Sequence, residues 1–201
     1  REGGIDMALA ADIARYLEKL GIAALSVSAG MFPFVRTVSN MYHRHGVNLY
    51  LAENIRDAVH VPVFAAGQLD RPDIQLAALE KGKADALCVG RGLIADPDYP
   101  RKLREGRIDD IIWCIACNKG CHDRSAEDRS VKCALNVMSG RESEREFTPE
   151  PARRPQRVMV IGGGPAGMQA AADAARRGHM VSLWDERREL GGRLRLAAVP
   201  P

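Results

Sequence analysis

The sequence predicts an α/β protein: two regions of alternating strand and helix with a cysteine-rich segment between them. Three observations carry this. Short apolar runs alternate with stretches of helical period over residues 6–89 and again over 158–184, without hairpin turns. That pattern implies parallel strands joined by right-handed crossovers. Four of the five cysteines, Cys114, Cys117, Cys121 and Cys133, fall within twenty residues. A glycine-rich turn from Gly162 to Gly167 lies between an apolar strand and a helix, where phosphate-binding loops occur.

Residues 6–20 read as the first helix. Ala10, Ile13, Leu17 and Leu20 share a face, Asp6 can cap the start and Gly21 stops it. An apolar strand follows over 22–28, then a long loop through Gly46 and a helix over 47–59. The next strand is Val61 to Ala66, ending at Gly67. Asp70 ahead of Pro72 opens another helix that Gly82 closes, and Ala84 to Val89 is a third strand ending at Gly90-Arg91. A short helix ends near Gly106. Residues 139–156, rich in charge and Pro, read as a solvated connector.

Three such units fit a closed barrel or an open sheet. Glycines stand just after two consecutive strands, in Ala66-Gly67-Gln68 and Gly90-Arg91. Backbone N–H groups and a guanidinium there can hold a phosphate, as after strands 7 and 8 of a (β/α)₈ barrel. The plainer reading is glycines that only turn the chain. A barrel needs about 250 residues, so the first part of this chain would be the end of one.

The bulk composition excludes several classes. With 46% hydrophobic and 27% charged residues among 201, the chain reads as globular, and it has neither a membrane-length apolar run nor a signal peptide. A formal charge of +3 with interleaved signs does not argue for nucleic acid. Clustered cysteines without an export signal indicate metal or redox chemistry in the cytoplasm rather than a disulfide framework. The chain begins at Arg1 and stops just after a nucleotide motif has begun, so we expect a segment of a longer chain, inactive alone.

In Cys-Ile-Ala-Cys-Asn-Lys-Gly-Cys three thiols fall within eight residues, with the fourth at Cys133. One turn of chain can wrap three corners of a cube, which favours a [4Fe–4S] cluster. Zinc, whose ligands usually come as two separated pairs, competes, as do unrelated thiols. Gly120 allows a tight approach, and Asn118 and Lys119 can offer N–H groups. His122 reads as a bystander. Cys88, within an apolar strand, reads as a buried small side chain. Trp113 either shields the metal site or packs.

The second motif is a full βαβ fingerprint. Gly162, Gly164, Ala166 and Gly167 form the loop, a helix runs to about Arg177, and a second strand from Met180 to Trp184 leads to Asp185. The glycines permit the turn and close pyrophosphate approach, and the carboxylate suits ribose hydroxyls. Leu190-Gly191-Gly192-Arg193 adds a second glycine turn. The loop alone does not separate flavin from nicotinamide. In the loop over 29–46, Arg36, Tyr42, His43, Arg44 and His45 are either active-site candidates or incidental polar residues.

Together these motifs resemble the iron–sulfur flavoenzyme branch of the old yellow enzyme family, the 2,4-dienoyl-CoA reductases and trimethylamine dehydrogenases. The resemblance spans the chain. It runs from Glu2-Gly3-Gly4 through Ala84-Asp-Ala-Leu-Cys-Val-Gly-Arg91 and Ala95-Asp96-Pro97 to the cysteines, the Gly162 loop and Leu190-Gly-Gly. It implies the C-terminal part of an FMN-binding (β/α)₈ TIM barrel over 1–106, a [4Fe–4S] segment over 107–138, a linker over 139–156 and the start of a Rossmann-like FAD (or ADP) domain over 157–201. Ala66, Gly67, Gly90 and Arg91 would hold the FMN phosphate and the four cysteines the cluster. Gly162, Gly164, Ala166, Gly167, Asp185 and Arg193 would line the FAD site.

The implied activity is NAD(P)H-driven reduction of an activated C=C bond in an enoate or unsaturated acyl-CoA. Aligned from Gly30, however, Phe32 stands where dienoyl-CoA reductases carry a histidine. Ser39-Asn-Met-Tyr42 and Arg107-Ile-Asp-Asp110 resemble the amine dehydrogenase side, which implies a methylated amine as substrate and an electron-transfer flavoprotein as acceptor, although that group's cysteine spacing is one residue shorter than Cys117 to Cys121 here. A rival of another class is a zinc-stapled nucleotide-binding module without catalysis. No catalytic residue is assigned, and neither nucleic acid nor membrane is expected as a partner.

Overall fold

A computed structural model describes residues 4–29, 38–144 and 150–197. The chain forms two compact units, residues 1–140 and 141–201. In the first, α1 (Met7–Lys19), β1 (Leu25–Val27), α2 (Leu49–Arg56), β2 (Val63–Ala66), α3 (Pro72–Glu80) and β3 (Ala86–Cys88) follow in order. The three strands form one parallel sheet, β1-β2-β3, with Leu25 opposite Val63 and Phe64 opposite Ala86. Asp6 caps α1 as its sequence position suggests, its carboxylate accepting the Leu9 N–H at 2.8 Å.

The core lies between the sheet and α1 and α2. Ala11, Ala14 and Ala52 are small enough to let the helices approach, and Ile55, Val59, Val63, Ala65, Leu69 and Ala84 complete the cluster. Val63, fully buried at the centre of the sheet, contributes about 1.5–3 kcal/mol by leaving water. Carboxylates tie helix to strand: Glu18 accepts the His60 and Val61 N–H groups, and Asp85 accepts the Val63 N–H at 2.8 Å and Arg56 Nε at 3.0 Å.

Three sequence expectations are corrected here. Asp70 does not open α3: Arg71 is the N-cap residue, Pro72 takes the first turn, and Asp70 is buried. The single helix expected before Gly106 is two, α4 (Gly90–Ala95) and α5 (Tyr99–Arg104), broken at Asp96-Pro97 because Asp96 takes extended backbone. Cys88 is exposed. Strand side chains alternate, and Leu87 faces the core, so its neighbour takes the opposite face.

Beyond a short 3₁₀ turn over Ile108–Asp110, the cysteine segment carries one helix, α6 (His122–Ala126). In the second unit, β4 (Arg157–Ile161), α7 (Pro165–Arg176) and β5 (Met180–Trp184) form a βαβ unit, with Val158 opposite Val181 and Ile161 opposite Trp184. A last helix, α8, covers Leu194–Ala197. Among the described residues no helix is long and apolar enough to cross a membrane.

Candidate functional site

The carboxyl ends of β2 and β3 open onto a cavity of about 620 Å³, lined among others by Ala66, Gly67, Gly90 and Arg91. Gly67 has φ +127°, and a Cβ there would press on the Asn48 side chain at 2.9 Å; both facts require glycine. Gly90 opens α4 with free space where a Cβ would stand. Gln68 follows Gly67 with φ 55°, a left-handed conformation that costs an L residue free energy and recurs at ligand sites.

Gln68 Oε1 and Asp70 Oδ2 are buried with no hydrogen-bond partner among the described residues, and both residues line this cavity. Asp70 Oδ1 meets His45 Nδ1 at 3.1 Å, with the Asp70 side chain 6% exposed. Two orphaned acceptors in a cavity wall suit a bound group that brings O–H or N–H donors.

Arg91, in the first turn of α4, lines the same cavity. Its Nη1 donates to the Ser39 carbonyl and to Asn118 Oδ1, and its Nη2 donates to Ser39 Oγ at 3.0 Å. Arg91 thus ties the chain at 39 to the loop between Cys117 and Cys121.

All four clustered cysteines line a second, smaller cavity, and Arg91, Ile94, Cys114 and Cys121 border both cavities. Ala116 and Asn118, at φ 50° and 59°, are left-handed residues on either side of Cys117 and reverse the chain there. The Ala116 N–H donates to Cys114 Sγ at 3.3 Å, and the Leu135 N–H to Cys133 Sγ at 3.5 Å. The Lys132 N–H donates to the Gly120 carbonyl at 2.7 Å, bringing Cys133 beside Cys121. A Cβ on Gly120 would overlap the Lys132 carbonyl, so this approach needs glycine. Burial pushes the Cys114 thiol up, opposed by the Ala116 N–H and the Arg91 charge.

No three His, Cys, Asp or Glu side chains among the described residues are close enough to share one metal ion. A single zinc with bonds of about 2.3 Å would hold its sulfurs about 3.8 Å apart. Four thiols lining one cavity are also the donor set of a [4Fe–4S] centre, in which each iron takes its own sulfur. Backbone N–H groups on the sulfurs are the donors that tune such a centre.

The cysteine segment is held from both sides. Ahead of it, Asp96 is 2% exposed; its Oδ2 accepts Lys102 Nζ at 2.7 Å and the Ile112 N–H at 2.9 Å, while Oδ1 accepts the Asp98 N–H at 3.1 Å. Burial would push the Asp96 carboxyl up, but Lys102 and the two N–H groups outweigh it and hold it below the ordinary value. After the segment, Asn136 Nδ2 donates to the Ile94 carbonyl at 2.9 Å.

Trp113 packs. Arg71 lies 4.5 Å above its ring centroid, and Tyr99 meets it edge-on at 6.0 Å. His122 borders the larger cavity rather than the thiol-lined one. In the 38–48 loop, His43 Nδ1 pairs with Asn40 Oδ1 at 2.8 Å, Tyr42 is 89% exposed and Arg44 is exposed. Phe32 and Arg36 lie outside the described residues.

In the second unit the glycine turn is packed as its spacing suggests. A Cβ on Gly167 would overlap the Gly162 carbonyl, whereas Gly164 faces open space, leaving its backbone accessible. Ala166 is exposed in the first turn of α7. Asp185 Oδ2 accepts the Gly163 N–H at 2.6 Å and Oδ1 the Arg187 N–H at 2.8 Å, and these two bonds, Gly163 first, hold the carboxyl below its usual range. A carboxylate has about four acceptor positions, so two remain for ribose hydroxyls. Gly191 donates to the Gly163 carbonyl at 2.8 Å. Arg193 is exposed, and its carbonyl accepts the Leu196 N–H at 3.1 Å.

Sequence reasoning misses Ser39 and the Asn118 side chain as partners of Arg91, and Gln68 and Asp70 as cavity acceptors. No spacing signal finds the first two, because they lie 52 and 27 residues from Arg91.

Glycine turns at parallel strand ends and a βαβ glycine loop are features of phosphate-binding proteins, and comparison with known proteins narrows the class. Residues 13–110 match the NADH:flavin oxidoreductase / NADH oxidase family, and residues 157–201 match the FAD dependent oxidoreductases. An NADH oxidase of Thermoanaerobacter brockii is 40% identical over 203 residues, covering 100% of this chain and 31% of that protein. A dimethylamine dehydrogenase of Hyphomicrobium is 34% identical over 151 residues, covering 74% of this chain and 20% of that protein. The structure of 2-naphthoyl-CoA reductase with 2-naphthoyl-CoA superposes with a TM-score of 0.88 at 33% identity, over 98% of this chain and 30% of that one. The chain belongs to the NADH:flavin oxidoreductase, or old yellow enzyme, family. It spans about a fifth to a third of the length of these relatives.

Proposed function

We propose that the chain is part of an oxidoreductase carrying FMN, a [4Fe–4S] cluster and FAD, which reduces an activated C=C bond of an enoate or unsaturated acyl-CoA with NAD(P)H. The observation that carries this is the wall shared by the two cavities, Arg91, Ile94, Cys114 and Cys121. A group in the larger cavity would lie one residue away from a group held by the thiols.

Residues 1–106 would form the last part of a (β/α)₈ barrel. Ala66, Gly67 and Gly90 would offer backbone to the FMN phosphate and Arg91 its free N–H groups. Gln68 Oε1 and Asp70 Oδ2 would accept from flavin hydroxyl or N–H donors. Cys114, Cys117, Cys121 and Cys133 would ligate the cluster. Gly162, Gly164, Ala166 and Gly167 would take the FAD pyrophosphate, Asp185 the ribose, and Arg193 would stand beside it. When bound, the flavins supply two-electron hydride chemistry and the cluster carries single electrons.

A second reading is supported by the dimethylamine dehydrogenase relative and by Ser39-Asn-Met-Tyr42: an amine dehydrogenase that oxidises a methylated amine and reduces an electron-transfer flavoprotein. Anaerobic titration of the holoenzyme separates them. NADH or NADPH is expected to bleach the flavin absorbance, and an enoate or enoyl-CoA to restore it. Bleaching by di- or trimethylamine alone, with none by NAD(P)H, would overturn the reductase reading. About four iron and four acid-labile sulfide per chain are expected, and a colourless zinc protein would sink both.

A further inference from the structure

We infer that Ser39 and Asn118 are positioning residues that aim Arg91 at a phosphate, and that Asn118 joins the phosphate grip to the cysteine loop. The inference rests on the flavin reading above. A guanidinium presents five N–H donors in a fixed plane. The Ser39 carbonyl takes one Nη1–H and the Ser39 hydroxyl one Nη2–H, so a single residue, 3% exposed, holds the end of the fork. Asn118 Oδ1 takes the other Nη1–H. Among the described residues the donors left are Nε–H and the second Nη2–H. These lie parallel on one edge of the plane, the pair that grips two oxygens of a phosphate at once.

Arginine has long, rotamer-rich geometry, and fixing it before the ligand arrives removes that cost from binding. Ser39 and Asn118 do this together, and Asn118 Nδ2 also donates to the Ser39 carbonyl at 3.5 Å.

Asn118 is also built into the cysteine loop. It stands at φ 59°, one residue after Cys117, and its carbonyl accepts the Asp123 N–H at 3.0 Å and lies 3.8 Å from Cys121 Sγ. A shift of its amide as Arg91 engages a phosphate therefore moves the backbone between two proposed cluster ligands. Asparagine tolerates this left-handed backbone and glycine tolerates it better. Asn118→Gly thus deletes the amide without straining the loop, and Asn118→Asp keeps the acceptor.

The test uses the holoenzyme, stripped of flavin and titrated with FMN or with riboflavin, which lacks the phosphate. Ser39→Ala and Asn118→Gly are each expected to weaken FMN about tenfold, the scale of one hydrogen bond to a charged group. Riboflavin affinity should stay unchanged, which also shows that the variants fold, and Asn118→Asp should retain FMN. FMN is expected to alter the electron paramagnetic resonance spectrum of the reduced cluster in the wild type and Asn118→Asp, but not in Asn118→Gly. Equal weakening of both flavins, or none, overturns the inference while leaving the flavin reading intact. A wild type that does not prefer FMN to riboflavin removes the phosphate site itself, and the inference with it.

Discussion

Replacing Asp96 by Ala should free the entry to the cysteine segment. The Ile112 N–H, two residues ahead of Cys114, donates to a carboxylate that is almost wholly buried. A hydrogen bond to a charged acceptor contributes about 1.5–3 kcal/mol. The change also strands Lys102, whose side chain is 14% exposed. Removing one partner of a buried pair costs about 3–5 kcal/mol, and here the lower end applies, because Lys102 keeps the Asp110 carbonyl at 2.9 Å and can reach water. Hydrogen exchange of the peptide containing Ile112, measured on the holoenzyme, reads the local term, and exchange should accelerate about 10–100-fold. In Asp96→Ala/Lys102→Met the stranded charge is gone, so overall stability should recover while Ile112 still exchanges fast. The pH dependence has a definite sign. A carboxyl held below its unfolded value stabilises the fold above that value and stops doing so as pH falls through the folded one. The gap between wild type and variant should therefore be flat near neutrality and close only in acid, below about pH 4. Unchanged Ile112 exchange in Asp96→Ala would refute this account.

Gly120→Ala places a methyl on the Lys132 carbonyl; overpacking of about 1–3 kcal/mol at the point where Cys121 and Cys133 meet should lower the iron and sulfide content, with FMN largely retained. Gly167→Ala drives a methyl into the Gly162 carbonyl and should abolish FAD retention while leaving FMN and iron at wild-type levels, as read by flavin chromatography and iron assay. Full FAD content in that variant would contradict the packing role of Gly167.

Features whose determinants are close together in the chain are legible in the sequence. Asp6 and the Leu9 N–H are three residues apart, and the turn from Gly162 to Gly167 sets its own geometry between a strand and a helix. Three of the clustered thiols lie within one loop, so spacing alone brings them to one cavity. What the sequence hides depends on distant parts of the chain. Arg91 stands at a strand end, as its position after an apolar run suggests, but where its guanidinium goes is decided by Ser39 and Asn118. Asp70 has the composition of a helix cap and the position of one, yet Arg71 takes that role while the Asp70 carboxylate turns to His45. Cys88 sits in an unbroken apolar run, which fits a strand covered on either face, so its neighbours alone do not reveal its exposure.

The glycine turn of the second unit has both polar backbone groups of Gly163 engaged, the N–H by Asp185 and the carbonyl by the Gly191 N–H. The loop is thereby immobilised by its own chain, with the second glycine turn acting as a buttress. Its ordering entropy is lost on folding rather than on binding. Nucleotide affinity at this loop should then be governed by dissociation, because the receptor surface does not have to assemble around each arriving molecule.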